Sequence, residues 1–167
     1  MTCDPRNPFT AFCRKAFDFL QASETRYLGI GGIAVGVVGE ARTTGDVDVV
    51  AFASPDDAEA LIAKAANAGL DVKPEVERER LAATGTLRFR GGPFQLDIIM
   101  ASLPFEEAAY GRAVKKRLFG RLVPIPTPED LILFKVLAGR YKDILDAIGI
   151  VRRHLARLDR RYLEQTI

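Results

Sequence analysis

Two aspartates separated by one residue open an apolar run, Asp46-Val47-Asp48-Val49-Val50. Side chains alternate along an extended strand, so both carboxylates leave the same face. Aspartate is disfavoured in strands, and two anions at this spacing repel unless a divalent cation or a strong base neutralises them. A metal-binding pair is the direct reading; a turn-forming aspartate followed by a solvated strand-edge aspartate is the alternative. A third carboxylate, Asp97, stands in Phe94-Gln95-Leu96-Asp97-Ile98-Ile99-Met100, where an unpaired charge is costly. If its strand lies beside that of Asp46 and Asp48, the three converge in an oxygen-rich site suited to a hard cation such as Mg²⁺. The alternative for Asp97 is a salt bridge across a hairpin to Arg88 or Arg90.

Upstream, Gly29-Ile30-Gly31-Gly32-Ile33-Ala34 reads as a strand, a glycine turn and a helix start. Glycines let backbone N–H groups approach a phosphate, and a helix N-terminus adds its positive dipole end. The same pattern formally fits a dinucleotide fingerprint. Against that, Asp46 and Asp48 precede the apolar stretch of the second strand, and the intervening helix has only about two turns where a βαβ unit needs roughly 30 residues. Phosphate-binding backbone, an Asp-x-Asp pair and a third strand aspartate together suggest metal-assisted nucleotidyl transfer.

These residues need a scaffold. Asn7 or Thr10 caps a first helix carrying Phe9, Phe12, Ala16 and Phe19 or Leu20 at helical spacing to about Ser23. The expected order continues with a strand at 26–30, a short helix at 33–40, a strand at 46–53 and a helix from Ser54-Pro55 to about Asn67, with Gly69 as its stop. Residues 71–80 are charged and contain Pro74, and are expected to be irregular or an edge segment. A hairpin at 84–100 turns at Gly91-Gly92-Pro93. A helix from Pro104 to about Gly111, one short strand at 118–125, a helix at 128–138 and a last helix from Tyr141 to about Leu158 complete the chain. The fold class expected is α/β (α+β), a mixed sheet of four or five strands flanked by helices. One domain over residues 1–167 is expected, with a core at about 26–125 and a helical part at about 127–167.

The chain has 167 residues, 48% hydrophobic and 28% charged, which excludes disordered and fibrous classes. No stretch approaches the roughly 20 apolar residues of a membrane span, and no secretory signal core is evident. Cys3 and Cys13 match no zinc spacing and are read as thiols in a reducing cytoplasm; His154 is assigned no role. The net charge of +2 hides an asymmetry: residues 1–100 carry 11 Lys and Arg against 14 Asp and Glu, and residues 101–167 carry 13 against 8. Arg112, Lys115, Lys116 and Arg117 are candidates for a polyanion surface near an acceptor; a solvated face is the alternative.

The run from Gly31-Gly32 through Arg42-Thr43-Thr44-Gly45-Asp46-Val47-Asp48 resembles the "GG, small helix, R-x-T-x-D-x-D" signature of DNA polymerase β-like nucleotidyltransferases. It is most similar to the small bacterial branch with abortive-infection-type toxins and stand-alone minimal nucleotidyltransferases. The resemblance continues in Leu96-Asp97-Ile98-Ile99 and from Pro128-Glu129-Asp130-Leu131 through Lys135 to Arg140-Tyr141-Lys142-Asp143 and Asp146. It implies that Gly31 and Gly32 hold the triphosphate, with Arg42 and Thr44 in the nucleotide site. Asp46 and Asp48 would bind Mg²⁺ or Mn²⁺, and Asp97 would complete the metal site and help activate the acceptor hydroxyl. Lys135 would face the nucleotide, with Asp143 or Asp146 functional beside it; Arg140–Asp143 and Lys142–Asp146 helix salt bridges are the alternative. The implied reaction is transfer of a nucleoside monophosphate from an NTP to RNA or tRNA, a protein or a small molecule, with a cognate antitoxin as a further partner. A catalytically degenerate nucleotide-binding or partner-binding member is the other class. Gly32 stands where many members have serine, which removes a hydroxyl from the phosphate site.

Overall fold

Asn7 caps α1 (Pro8–Ala22), its carboxamide oxygen accepting from the N–H groups of Phe9 at 2.9 Å and Thr10 at 3.3 Å. The computed structural model describes residues 6–166, so Cys3 lies outside the described residues. From α1 the chain enters β1 (Arg26–Ile30), turns directly into the eight-residue α2 (Gly31–Val38) and returns through a loop to β2 (Asp46–Phe52). Next, α3 (Pro55–Asn67) starts on a reciprocal Ser54–Asp57 capping box.

The segment expected to be irregular is instead helical: α4 spans Pro74–Thr84. Pro74 sits in the first turn, where its missing N–H is harmless, Glu75 and Glu77 face the positive end of the helix dipole, and Gly85 closes it at φ +64°. Only Asp71 keeps an edge character, through an isolated bridge to Arg90. The hairpin β3 (Thr86–Gly91) and β4 (Phe94–Met100) follows, then α5 (Pro104–Arg112).

Where one strand was expected there are two, β5 (Val114–Leu118) and β6 (Arg121–Ile125), which form a separate antiparallel sheet. Phe119 and Gly120 both take positive φ in the turn, 50° and 81°. A left-handed phenylalanine is an uncommon hairpin residue, so the turn carries no Asn-Gly signal. After α6 (Pro128–Ala138) the last helical stretch also divides, into α7 (Tyr141–His154) and α8 (Arg160–Thr166). Asp159 marks the restart: its carboxylate accepts the Tyr162 N–H at 2.9 Å.

The main sheet has the order β1-β2-β4-β3, with β2 and β4 parallel and the outer pairs antiparallel, in agreement with the mixed α/β reading. Antiparallel β1 and β2 exclude the dinucleotide reading, which requires a parallel βαβ unit. One sheet face, with Val47, Val49, Leu87, Phe89, Leu96 and Ile98, packs into the main core with α1 and Cys13. The opposite face carries Leu28, Ile30 and Val50 in a smaller cluster with Phe134 packed against it. The chemistry lies on that second face.

Candidate active site

Position 48 of β2 lies beside position 97 of β4 in parallel register, and Asp46 lies two residues before it on the same face. Asp46, Asp48 and Asp97 therefore look into one cleft of about 660 Å³. Its floor is the sheet, one end is the start of α2, and α6 and α7 form a wall with Lys135, Arg140 and Lys142.

Gly31 begins α2 at φ +66°, and a methyl group there would collide with the Asp48 carboxylate. Both constraints demand glycine. Ile30 provides no side-chain cap, so the first N–H groups of α2 are left for a ligand. At Gly32 an added Cβ would lie 2.8 Å from Thr44 Oγ1. The Thr44 side chain thus occupies the space a residue-32 side chain would take, and its hydroxyl stands where the glycine offers none.

Among the described residues neither the Asp46 nor the Asp48 carboxylate has a hydrogen-bond or ion-pair partner. Burial pushes the Asp48 carboxyl above the usual carboxylate range; repulsion from Asp97 and Asp46 adds to this, and Lys135 and Lys142 partly oppose it. Such uncompensated negative charge, on oxygen donors sharing a face, fits a hard divalent cation. Asp97 differs from the other two because Arg88 binds it bidentately, at 2.7 and 2.9 Å. The hairpin salt bridge weighed as an alternative is formed, and Asp97 nonetheless faces the cleft. Among the described residues, no three His, Cys, Asp or Glu side chains surround one cation position.

Lys135 reaches the cleft wall but is only 4% exposed. Its ammonium lies between Asp143 Oδ1 at 2.8 Å and Asp146 Oδ2 at 2.9 Å. Arg42 binds both oxygens of Asp146 at 2.9 Å, and Arg140 binds Asp143 at 2.5 Å. Burial raises the carboxyl pKa of Asp143 and Asp146, but hydrogen bonds from Arg140 and Lys135 to Asp143, and from Arg42 and Lys135 to Asp146, outweigh it and leave both lowered. The aspartates thus pin three cations: Arg42, Arg140 and Lys135. Of the two helix pairs considered, Arg140–Asp143 forms, whereas Asp146 binds Arg42 and Lys135 rather than Lys142.

Other sequence readings move. Arg112 is bound by the fully buried Asp130 at 2.6 Å and by Tyr162, so its charge is paired within the fold. Lys115, Lys116 and Arg117 are exposed on β5, but none lines the cleft. His154, given no role, has its Nε2 2.6 Å from the Val38 carbonyl, and Arg153 donates to the Gly39 carbonyl at 2.8 Å. Together they finish the C-terminal end of α2, a long-range contact that no local pattern announces. Leu103, Phe105 and Phe134 form an apolar cleft wall, the two rings 4.9 Å apart. No motif in the sequence marks them.

No family model matches the chain, and no curated protein sequence matches it. Solved structures do. The chain is similar to an antigenic nucleotidyltransferase-like protein from Paracoccidioides brasiliensis, with 17% identity and a TM-score of 0.56 over 86% of this chain and 75% of that one. It is similar to ANT(2″)-Ia in complex with adenylyl-2″-tobramycin, with 15% identity and a TM-score of 0.58 over 88% of this chain and 90% of that one. A lincomycin-bound lincosamide antibiotic adenylyltransferase matches with 16% identity and a TM-score of 0.53 over 86% and 96%. The chain therefore has the nucleotidyltransferase fold.

Proposed function

We propose that the chain is a divalent-cation-dependent nucleotidyltransferase that moves a nucleoside monophosphate from an NTP to the hydroxyl of a small-molecule acceptor. The observation that carries this reading is the side-by-side placement of Asp48 and Asp97, facing a cleft into which the uncapped start of α2 opens. The triphosphate lies against the N–H groups of Gly31 and Gly32 and the Thr44 hydroxyl, with Arg42, Arg140 and Lys142 opposing its charge. Asp143 and Asp146 position those guanidinium groups, and Lys135 locks the two aspartates together. Held by Asp46, Asp48 and Asp97, Mg²⁺ or Mn²⁺ would supply charge neutralisation for the leaving pyrophosphate and polarise the attacking oxygen.

The acceptor oxygen bonds to the α-phosphorus, the bond from that phosphorus to the pyrophosphate oxygen breaks, and Asp97 accepts the hydroxyl proton. The Leu103, Phe105 and Phe134 wall offers an apolar surface of small-ligand dimensions. A small acceptor is supported by two structural neighbours solved with adenylyl-2″-tobramycin and lincomycin, and by the position of the basic β5 residues outside the cleft. A toxin–antitoxin role and an antitoxin partner rest on the sequence resemblance alone.

Incubation with each α-labelled NTP, Mg²⁺ and a panel of hydroxyl-bearing acceptors tests the reading. Labelled acceptor with equimolar pyrophosphate is expected for at least one pairing. Nucleotide binding without transfer across the panel would return the degenerate reading.

A further inference from the structure

Of the three cleft carboxylates, one already has a cation. Arg88 of β3 is the register partner of Asp97. It donates Nε–H to Oδ1 at 2.7 Å and Nη2–H to Oδ2 at 2.9 Å, so the guanidinium fork takes both carboxylate oxygens. Gln95 Nε2 adds a long contact to Oδ2 at 3.4 Å. Arg88 is anchored through its backbone, whose N–H donates to Glu77 Oε2 at 2.6 Å, but its side chain is 33% exposed and borders the open cleft. The strand is fixed and the guanidinium has room to turn away. Asp46 and Asp48 have no such partner among the described residues, and the three carboxylates do not yet surround one cation position.

We propose that Arg88 is a resident competitor for the divalent cation: its guanidinium holds Asp97 out of the cation site, and the three-carboxylate site assembles only when Arg88 releases Asp97. The inference rests on the nucleotidyl-transfer reading and adds to it a control of when the site becomes complete. Arginine stays protonated at any working pH, so release is a rotation of the side chain and not a loss of its proton. While the fork is closed, each Asp97 oxygen already accepts a charge-assisted hydrogen bond, which weakens Asp97 both as a cation ligand and as acceptor of the hydroxyl proton. An anionic substrate in the same cleft offers the freed guanidinium another partner, which couples substrate binding to completion of the site.

Mn²⁺ affinity, read from the free-ion signal in electron paramagnetic resonance, tests this without any turnover. The proteins compared are wild type, Arg88→Gln, Arg88→Lys, Asp97→Asn and the Arg88→Gln/Asp97→Asn double variant, each first checked for folding by circular dichroism. Removing a unit positive charge beside the site and freeing a ligand should tighten Mn²⁺ binding about tenfold or more in Arg88→Gln. Arg88→Lys, which keeps the charge but loses the fork, should fall between Arg88→Gln and wild type and serves should the glutamine variant fail to fold. In the Asp97→Asn background the gain should shrink to the charge contribution alone, because no ligand is then freed. Equal affinity in wild type and both Arg88 variants, or the same gain without Asp97, would overturn the competitor while leaving the cation site itself standing. Absence of Mn²⁺ binding in every variant would overturn both.

Discussion

Asp48 is where the chemistry and the stability of this chain pull in opposite directions. Its carboxyl is half-buried on the cleft floor and repelled by two like charges, and the partial desolvation and repulsion hold its pKa above the ordinary 3.8. The folded state then holds the proton more tightly than the unfolded chain, and the metal-free protein loses stability as pH rises from about 3.8 through the raised value. Asp48→Asn removes that loss. In EDTA at neutral pH its thermal midpoint should equal or exceed that of wild type, while transfer activity falls by about 10²–10³-fold, the loss typical of removing one pre-organised electrostatic contact. A lower midpoint together with retained activity would contradict both halves. Gly31 belongs to the same balance, since its missing side chain makes room for this carboxylate. The sequence allowed Asp46, Asp48 and Asp97 to be picked out because charge in an apolar strand is anomalous by itself. Arg88 was visible only as an alternative partner for Asp97, since its coexistence with cleft exposure depends on the sheet register.

At the scale of elements, α2, the loop after it, α6 and α7 are tied together by charges from distant parts of the chain. Arg42 reaches Asp146 across 104 residues, and Lys135 of α6 lies between two aspartates of α7. Removing one partner of a buried ion cluster leaves the rest uncompensated, so Lys135→Ala should destabilise the protein by about 3–5 kcal/mol in chemical denaturation. A change below about 1 kcal/mol, the range of a surface pair, would show that the cluster is solvated in solution. Asp143 and Asp146 have lowered pKa values, so their contribution is present above the ordinary 3.8 and is lost as pH falls through the folded values. Elements with local start and stop signals were legible: Ser54-Pro55 and Pro128-Glu129-Asp130 place the starts of α3 and α6 where they occur. The misreadings have local causes. Pro74 was read as a strand-edge residue although it starts α4, and the Phe119-Gly120 turn lacks the usual residues. The break before α8 depends on Asp159 and on Tyr162 reaching Asp130, a contact made only in the folded chain.

Over the whole molecule, charge is divided by place as well as by sequence. The carboxylates lie on the sheet floor of the cleft, its cations come from β3, the loop before β2, and α6 and α7 with the turn between them, and the exposed basic residues of β5 lie elsewhere. Replacing Lys115, Lys116 and Arg117 together by glutamine should leave transfer to a small acceptor within about twofold of wild type, because charges outside the site are screened over about 10 Å at 0.1 M salt. If the acceptor is instead a nucleic acid, the triple variant should bind it more weakly and with a shallower salt dependence, measured across a salt series.

The most direct measurement is a crystal structure of the chain grown with Mn²⁺ and a non-hydrolysable NTP analogue, with the metal located by its anomalous scattering. The account predicts Mn²⁺ bound by Asp46 and Asp48, the terminal phosphates against the N–H groups of Gly31 and Gly32, and Arg88 turned away from Asp97. A triphosphate bound outside this cleft, or metal density remote from Asp46 and Asp48, would contradict it.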